Sequence, residues 1–286
     1  MLPCYVKKIL PRALQPHPHI EAAAVSSVGC VRPNNEDNLC FDGKIITRAM
    51  LSKAGSGDSI FAKTGLGDAV FGVCDGMGGE AHGEIASRIA AQGMASISRG
   101  LRRIEQSALK KAVIDYVKLS GARINAEAVR LGVPRIGTTF CMMIVFEGAA
   151  YIANIGDSRV YLLRGGEIKR LTRDHNEAEL LRSSGRLTAE EAASSPLRHV
   201  LTQYLGMPPA EGLPVPYLAE VVRCQPGDRF ILCSDGLSGM VPDGDIIALA
   251  DTDASAAHIA GALADAAKSA GGRDNISVEI VKIIAG

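Results

Sequence analysis

The chain has 286 residues, 47% hydrophobic and 22% charged, with 31 basic and 31 acidic side chains. That is the make-up of an ordinary globular protein of one large or two small domains. Zero net charge gives no overall field for nucleic acid or an anionic membrane, and the lack of Trp with only 4% aromatics removes a base-stacking surface.

Residues 1–20 lack an apolar run of signal-peptide length and read as a flexible lead-in, with one domain over 21–286. Alternation from Ala22 to Val28 predicts a first strand closing at Gly29. Arg32-Pro-Asn-Asn-Glu36-Asp37-Asn follows as a polar loop, and Leu39-Cys40-Phe41 is again strand-like. An Arg fork beside a carboxylate pair suits a phosphate and a divalent cation, although a plain hairpin loop would look the same. Residues 54–67 are rich in Gly, Ser and Asp and read as a mobile connection.

Val70-Phe71-Gly72-Val73 predicts a buried strand that stops at Asp75, with Gly76, Gly78 and Gly79 crowded behind it. Helical spacing begins near Gly83, and a second long helix spans about 105–131, ended by Gly132 and Pro134. Residues 137–147 predict one buried strand, and 149–155, 158–164 and 168–171 predict three more. Asp157 sits in the turn between two of these, where either a local backbone bond or a place in a cleft would explain it. Residues 172–213 turn helical and charged, which suggests an inserted flap over one edge of the sheet.

Phe230 to Ser234 repeats the earlier design, a buried strand ending in Asp235-Gly236. Helices over 243–251 and 254–270 precede a polar turn with Asp274, and 276–284 alternates as a last strand. Two strand-end Asp-Gly turns suggest two walls of one carboxylate-lined cleft. The seven cysteines have no CxxC spacing and lie partly inside apolar runs, which fits free thiols in a reducing compartment without a zinc site. A cytoplasmic location is expected, with no membrane span.

RPNNEDN at 32–38, VCDGMGG at 73–79, GTTF at 137–140, NIGDSRVY at 154–161, LTRDHN at 171–176, CSDGLSG at 233–239 and GRDNISV at 272–278 occur in one order over nearly the whole chain. Together they resemble the metal-dependent protein phosphatase family, the protein phosphatase 2C-like Ser/Thr phosphatases, above all its bacterial single-domain members. The resemblance implies an α+β fold, a four-layer αββα sandwich of two mostly antiparallel sheets. It implies hydrolysis of phosphoserine and phosphothreonine on proteins, by a metal-bridging water attacking phosphorus in line, in opposition to a bacterial Ser/Thr kinase.

By the same resemblance Asp75 bridges two divalent cations, Mn²⁺ or Mg²⁺, with the Gly76 carbonyl on one and Asp235 and Asp274 on the other. Glu36 and Asp37 hold metal-bound waters, Arg32 grips the substrate phosphate, and Asp157 with Asp235 takes a third, weaker ion. Hard oxygen donors match these ions, and no Cys nucleophile is required. Many eukaryotic relatives have a His where this chain has Met77, which leaves water on a metal, or His82, to protonate the leaving group. A non-catalytic phosphoprotein-binding scaffold and a phosphatase of small phosphorylated metabolites are the competing readings. The intact set of Asp75, Asp235, Asp274, Glu36, Asp37 and Arg32 argues for an enzyme.

Overall fold

The computed structural model describes residues 18–47, 50, 59–77 and 82–285. Two sheets carry the fold, and every strand pair in them is antiparallel. The first contains β1 (His19–Ser27), β4 (Ser59–Leu66), β10 (Arg159–Arg164), β11 (Glu167–Arg170), β14 (Arg229–Cys233) and β15 (Ile276–Ile284), in the order β11-β10-β14-β15-β1-β4. The second contains β2 (Asn38–Phe41), β3 (Lys44–Ile45), β5 (Ala69–Cys74), β8 (Phe140–Phe146), β9 (Ala149–Ile155) and β12 (Tyr217–Leu218), ordered β12-β9-β8-β5-β2-β3. A further strand, β13 (Val222–Arg223), also pairs with β9. Two short strands, β6 (Gly76–Met77) and β7 (Gly137–Thr138), form a separate ribbon.

The sheets face each other across Leu39, Phe41, Phe71, Val73, Cys141 and Met143 on one side and Ala22, Ala24, Val160, Phe230, Leu232 and Val281 on the other. Alternating side chains make this possible, since every second residue of a strand reaches the same face. Helices α1 (Gly83–Gly100) and α2 (Leu109–Leu131) cover the outer face of the second sheet, where Ile85, Ile89 and Met94 meet Val70, Phe140 and Met142. Gly132 ends α2 in the left-handed conformation, as the sequence predicts. Among the later helices, α3 (Glu177–Ser183) and α4 (Ala189–Ser194) are short; α5 (Asp235–Ser238) is a single turn, and α6 (Asp243–Ala250) and α7 (Ala256–Ser269) cover the first sheet. The expected αββα sandwich is therefore present. Among the described residues, no helix is long and apolar enough to cross a membrane.

Two readings change and a third gains detail. The stretch read as a mobile connection holds β4, whose Ala62 stands opposite Ala23 of β1. Among the described residues it is the outermost strand of its sheet, and its sequence SIFAKTGL holds one Ser and one Gly; the residues that suggested a connection fall mostly at 55–58 and Gly67, outside the strand. Positions 54–58 of that stretch, the lead-in through residue 17, and Gly78 and Gly79 lie outside the described residues. The single strand expected over 137–147 is broken at Thr139, where the backbone turns to serve Asp75. Residues 172–213 do contain α3, α4 and short 3₁₀ turns, but they also reach the main cleft, through His199 and Leu201.

Candidate active site

The ends of β5, β9 and β14 and the start of β15 open on one cleft of about 520 Å³. Arg32, Glu36, Asp75, Gly76, Asp157, Asp235 and Asp274 all line it, together with Met77, Thr139, His199 and Asn275. Seven of the eight residues singled out in the sequence thus meet there. The eighth, Asp37, does not line the cleft: it is buried underneath, because neighbours in extended backbone point opposite ways. His82 is also absent from the lining; it caps α1 with φ 88°.

Asp75 is held by the break in the neighbouring strand. Its N–H donates to Thr139 Oγ1 at 3.0 Å, and its carbonyl accepts from Thr139 N at 2.9 Å and Thr138 Oγ1 at 2.8 Å. Gly76 is required by close approach: a Cβ there would lie 2.4 Å from the Gly83 carbonyl oxygen and 2.5 Å from that of Glu36. Gly236 is tighter still, with the Asn275 carbonyl oxygen 1.9 Å from where a Cβ would stand.

Asn275 ties the remaining walls together. Its Oδ1 accepts from Glu36 N at 2.8 Å, and its amide donates to the carbonyls of Val28 and Asn34. Ser234, just before Asp235, donates to Asp37 Oδ2 at 2.8 Å. On the open side Arg32 Nη2 donates to Asp274 Oδ2 at 2.7 Å. The Thr138–Thr139 pair, Asn275 and Ser234 were given no individual role in the sequence. They lie inside the GTTF, RDN and CSDG blocks, so the blocks themselves were the available signal.

Burial and crowding push these acids toward their neutral forms. Burial first, then the charges of Asp37, Asp235 and Asp157, holds the Asp75 carboxyl well above its usual range. Asp157 is raised in the same way, by burial and then by Asp235. Burial also brings Asp37 up to about 7, against the hydrogen bonds from Ser277 and Ser234. Glu36 rises through burial and the charge of Glu84. Such a cluster is costly without a compensating cation.

The donor set fits a hard divalent ion. Carboxylate oxygens dominate the cleft lining, and Asp235 Oδ1 is buried without a hydrogen-bond partner. No three His, Cys, Asp or Glu side chains among the described residues stand as a ready-closed metal cluster, and Arg32 occupies Asp274. Beside these acids burial raises the Cys74 thiol well above its ordinary value and Cys233 to about 12, so neither is poised as a thiolate nucleophile.

A carboxylate-walled cleft thus stands at one end of an αββα sandwich, with an arginine at its mouth. The chain belongs to the protein phosphatase 2C family, whose model matches residues 52–273. It is 29% identical over 266 residues to protein phosphatase PhpP of Streptococcus pneumoniae, covering 92% of this chain and 98% of that one. It is 32% identical over 217 residues to the serine/threonine phosphatase stp of Listeria innocua, covering 73% and 82%. The catalytic domain of the serine/threonine protein phosphatase PstP, solved in complex with two manganese ions, superposes with a TM-score of 0.74 at 28% identity, covering 93% of this chain and 99% of that one.

Proposed function

We propose that the chain hydrolyses phosphoserine and phosphothreonine on proteins with the help of two divalent cations, Mn²⁺ or Mg²⁺, and opposes a Ser/Thr kinase in the cytoplasm. The observation that carries this reading is the meeting of Asp75, Asp157, Asp235 and Asp274 in one cleft with Arg32 at its rim.

Asp75, the Gly76 carbonyl, Asp235 and Asp274 are the residues to hold the two cations, and Asp157 with Asp235 a third, weaker one. When bound, such ions stabilise charge on phosphoryl oxygens and make water nucleophilic near neutral pH. The chain's own groups do the rest. Thr138 and Thr139 fix the backbone of Asp75, so its carboxylate cannot drift from the floor. Ser234 orients Asp37 beneath that floor, and Asn275 holds the backbone of Glu36 at the wall. Arg32, whose side chain is 52% exposed, has the planar fork that suits phosphoryl oxygens. It meets an incoming phosphoryl group by exchanging its bond to Asp274. The segment 172–213 then acts as a flap that sets access within the domain 21–286.

The test is hydrolysis of p-nitrophenyl phosphate with Mn²⁺, with and without chelator, beside Asp235→Asn. Turnover is expected with Mn²⁺, none after chelation, and a loss of about a thousandfold in the variant. Turnover that survives the chelator would overturn the reading.

A further inference from the structure

His199 stands in the 3₁₀ turn Pro196–His199 of the flap, and it lines both the carboxylate cleft and an adjoining cavity of about 750 Å³ under the flap. Asp157 and Asp235 are the other residues common to the two, so His199 marks the waist between them. Its Nδ1 lies 3.8 Å from Asp235 Oδ2, and its side chain is 56% exposed against 26% for Asp235. The imidazole therefore sits on the mouth side of the acid floor. Arg198 Nε donates to His199 Nε2 at 2.9 Å, and Arg198 Nη1 is anchored on the Ala193 carbonyl at 2.9 Å. A ring nitrogen that accepts from a guanidinium carries no proton, so in the neutral ring the proton is on Nδ1, on the cleft side.

The reaction needs something at that position. A nucleophile coming from the carboxylate floor displaces the leaving group in line, so the seryl or threonyl ester oxygen departs toward the mouth. Met77, which lines the same cleft, has no hydrogen to donate. Arg32 pairs with Asp274 and serves the phosphoryl oxygens.

We propose that His199 touches the substrate and donates a hydrogen bond from its Nδ1–H to the departing ester oxygen, with Arg198 as the positioning residue that fixes the tautomer. This rests on the phosphatase reading above. As the bond from phosphorus to water oxygen forms, the bond to the ester oxygen breaks and its electron pair stays on that oxygen. The attacking water leaves its oxygen and one hydrogen on phosphate and gives its other proton to solvent, and solvent water at the open mouth returns one proton to the ester oxygen to complete the alcohol. His199 is a donor and not the acid, since loss of Nδ1–H while Nε2 accepts from Arg198 would leave an imidazolate.

A poor leaving group depends on such a donor and a good one hardly does, so the test compares substrates. With the Mn²⁺-loaded full chain, His199→Ala is expected to lower kcat about 100-fold for a phosphothreonine peptide. The fall for p-nitrophenyl phosphate should be less than tenfold, because its phenolate is already stable. His199→Asn, whose amide nitrogen can stand near the Nδ1 position, should recover most of the peptide turnover, and Arg198→Met should fall between. Equal losses on both substrates, no loss on the peptide, or failure of Asn to rescue would overturn the assignment. A wild-type enzyme without cation-dependent turnover would instead sink the phosphatase reading, a separate outcome.

Discussion

The floor of the cleft and its flap are built by opposite means. The floor hangs on strand ends, where backbone and hydroxyl hydrogen bonds from Thr138, Thr139, Ser234 and Asn275 fix its carboxylates from below. The flap has few buried apolar residues and is held by charge. Asp174 accepts from Arg159 Nε and Nη2 and from Arg170 Nη1, and Glu179 accepts from Arg182 through two bonds of 2.7 Å. His175 adds a clasp, its Nδ1 accepting from Gly156 N at 3.2 Å beside Asp157. In the floor, like charges are forced together and left for a cation to compensate; in the flap, opposite charges already compensate one another. On the proposed function, chemistry would fall to the hydrogen-bonded floor and access to the part with little buried apolar surface.

The strongest way to break this contrast is to remove the flap's central acid. Asp174 is only 6% exposed, and Asp174→Ala strands Arg159 without its carboxylate. A loss of about 3–5 kcal/mol is expected for breaking such a buried pair, read by denaturant unfolding. A change below 1 kcal/mol would mean the flap is held by packing instead.

A subtler test sharpens the other side of the contrast, because one acid belongs to neither system. Glu279 of β15 is fully buried between the sheets, and neither carboxylate oxygen has a hydrogen-bond partner. Burial holds it well above the usual carboxylate value, against a smaller opposing pull from the Gly72 backbone. The folded chain therefore keeps a proton that the unfolded chain releases from about pH 4.5 upward, so stability falls as pH rises above that value. The slope due to this residue is about 1.4 kcal/mol per pH unit until the folded form itself titrates. Glu279→Gln, which cannot ionise, should raise the melting temperature at pH 7.5 and change it little at pH 4. Parallel melting curves for the two proteins at all pH values would show that Glu279 ionises freely in the fold.

Much of this was legible in the sequence where a period or a punctuating residue was strong. The stripe of Ile85, Ile89 and Met94 gave α1, and the apolar runs into Asp75 and Asp235 gave the strand ends of the floor. The signal failed where pairing, not composition, decides. Strand β4 exists because β1 offers it a ladder of backbone bonds, which the flanking Gly55-Ser56-Gly57-Asp58 and Gly67 conceal in the sequence. Glu36 and Asp37 read as a carboxylate pair, but the extended backbone sends one to the wall and the other beneath the floor. His199 carried no local signature, since only the return of the flap over the cleft brings it near Asp235. Glu279 sat unnoticed in an alternating strand because its far side faces a second sheet instead of solvent.

The central claim is that Asp75, Asp235 and Asp274 share cations, and crystals grown or soaked with manganese test it most directly. Anomalous density for two ions among these three side chains, with Arg32 released from Asp274, is the expected result. An intact Arg32–Asp274 pair and no ion density among the three carboxylates at millimolar manganese would contradict it.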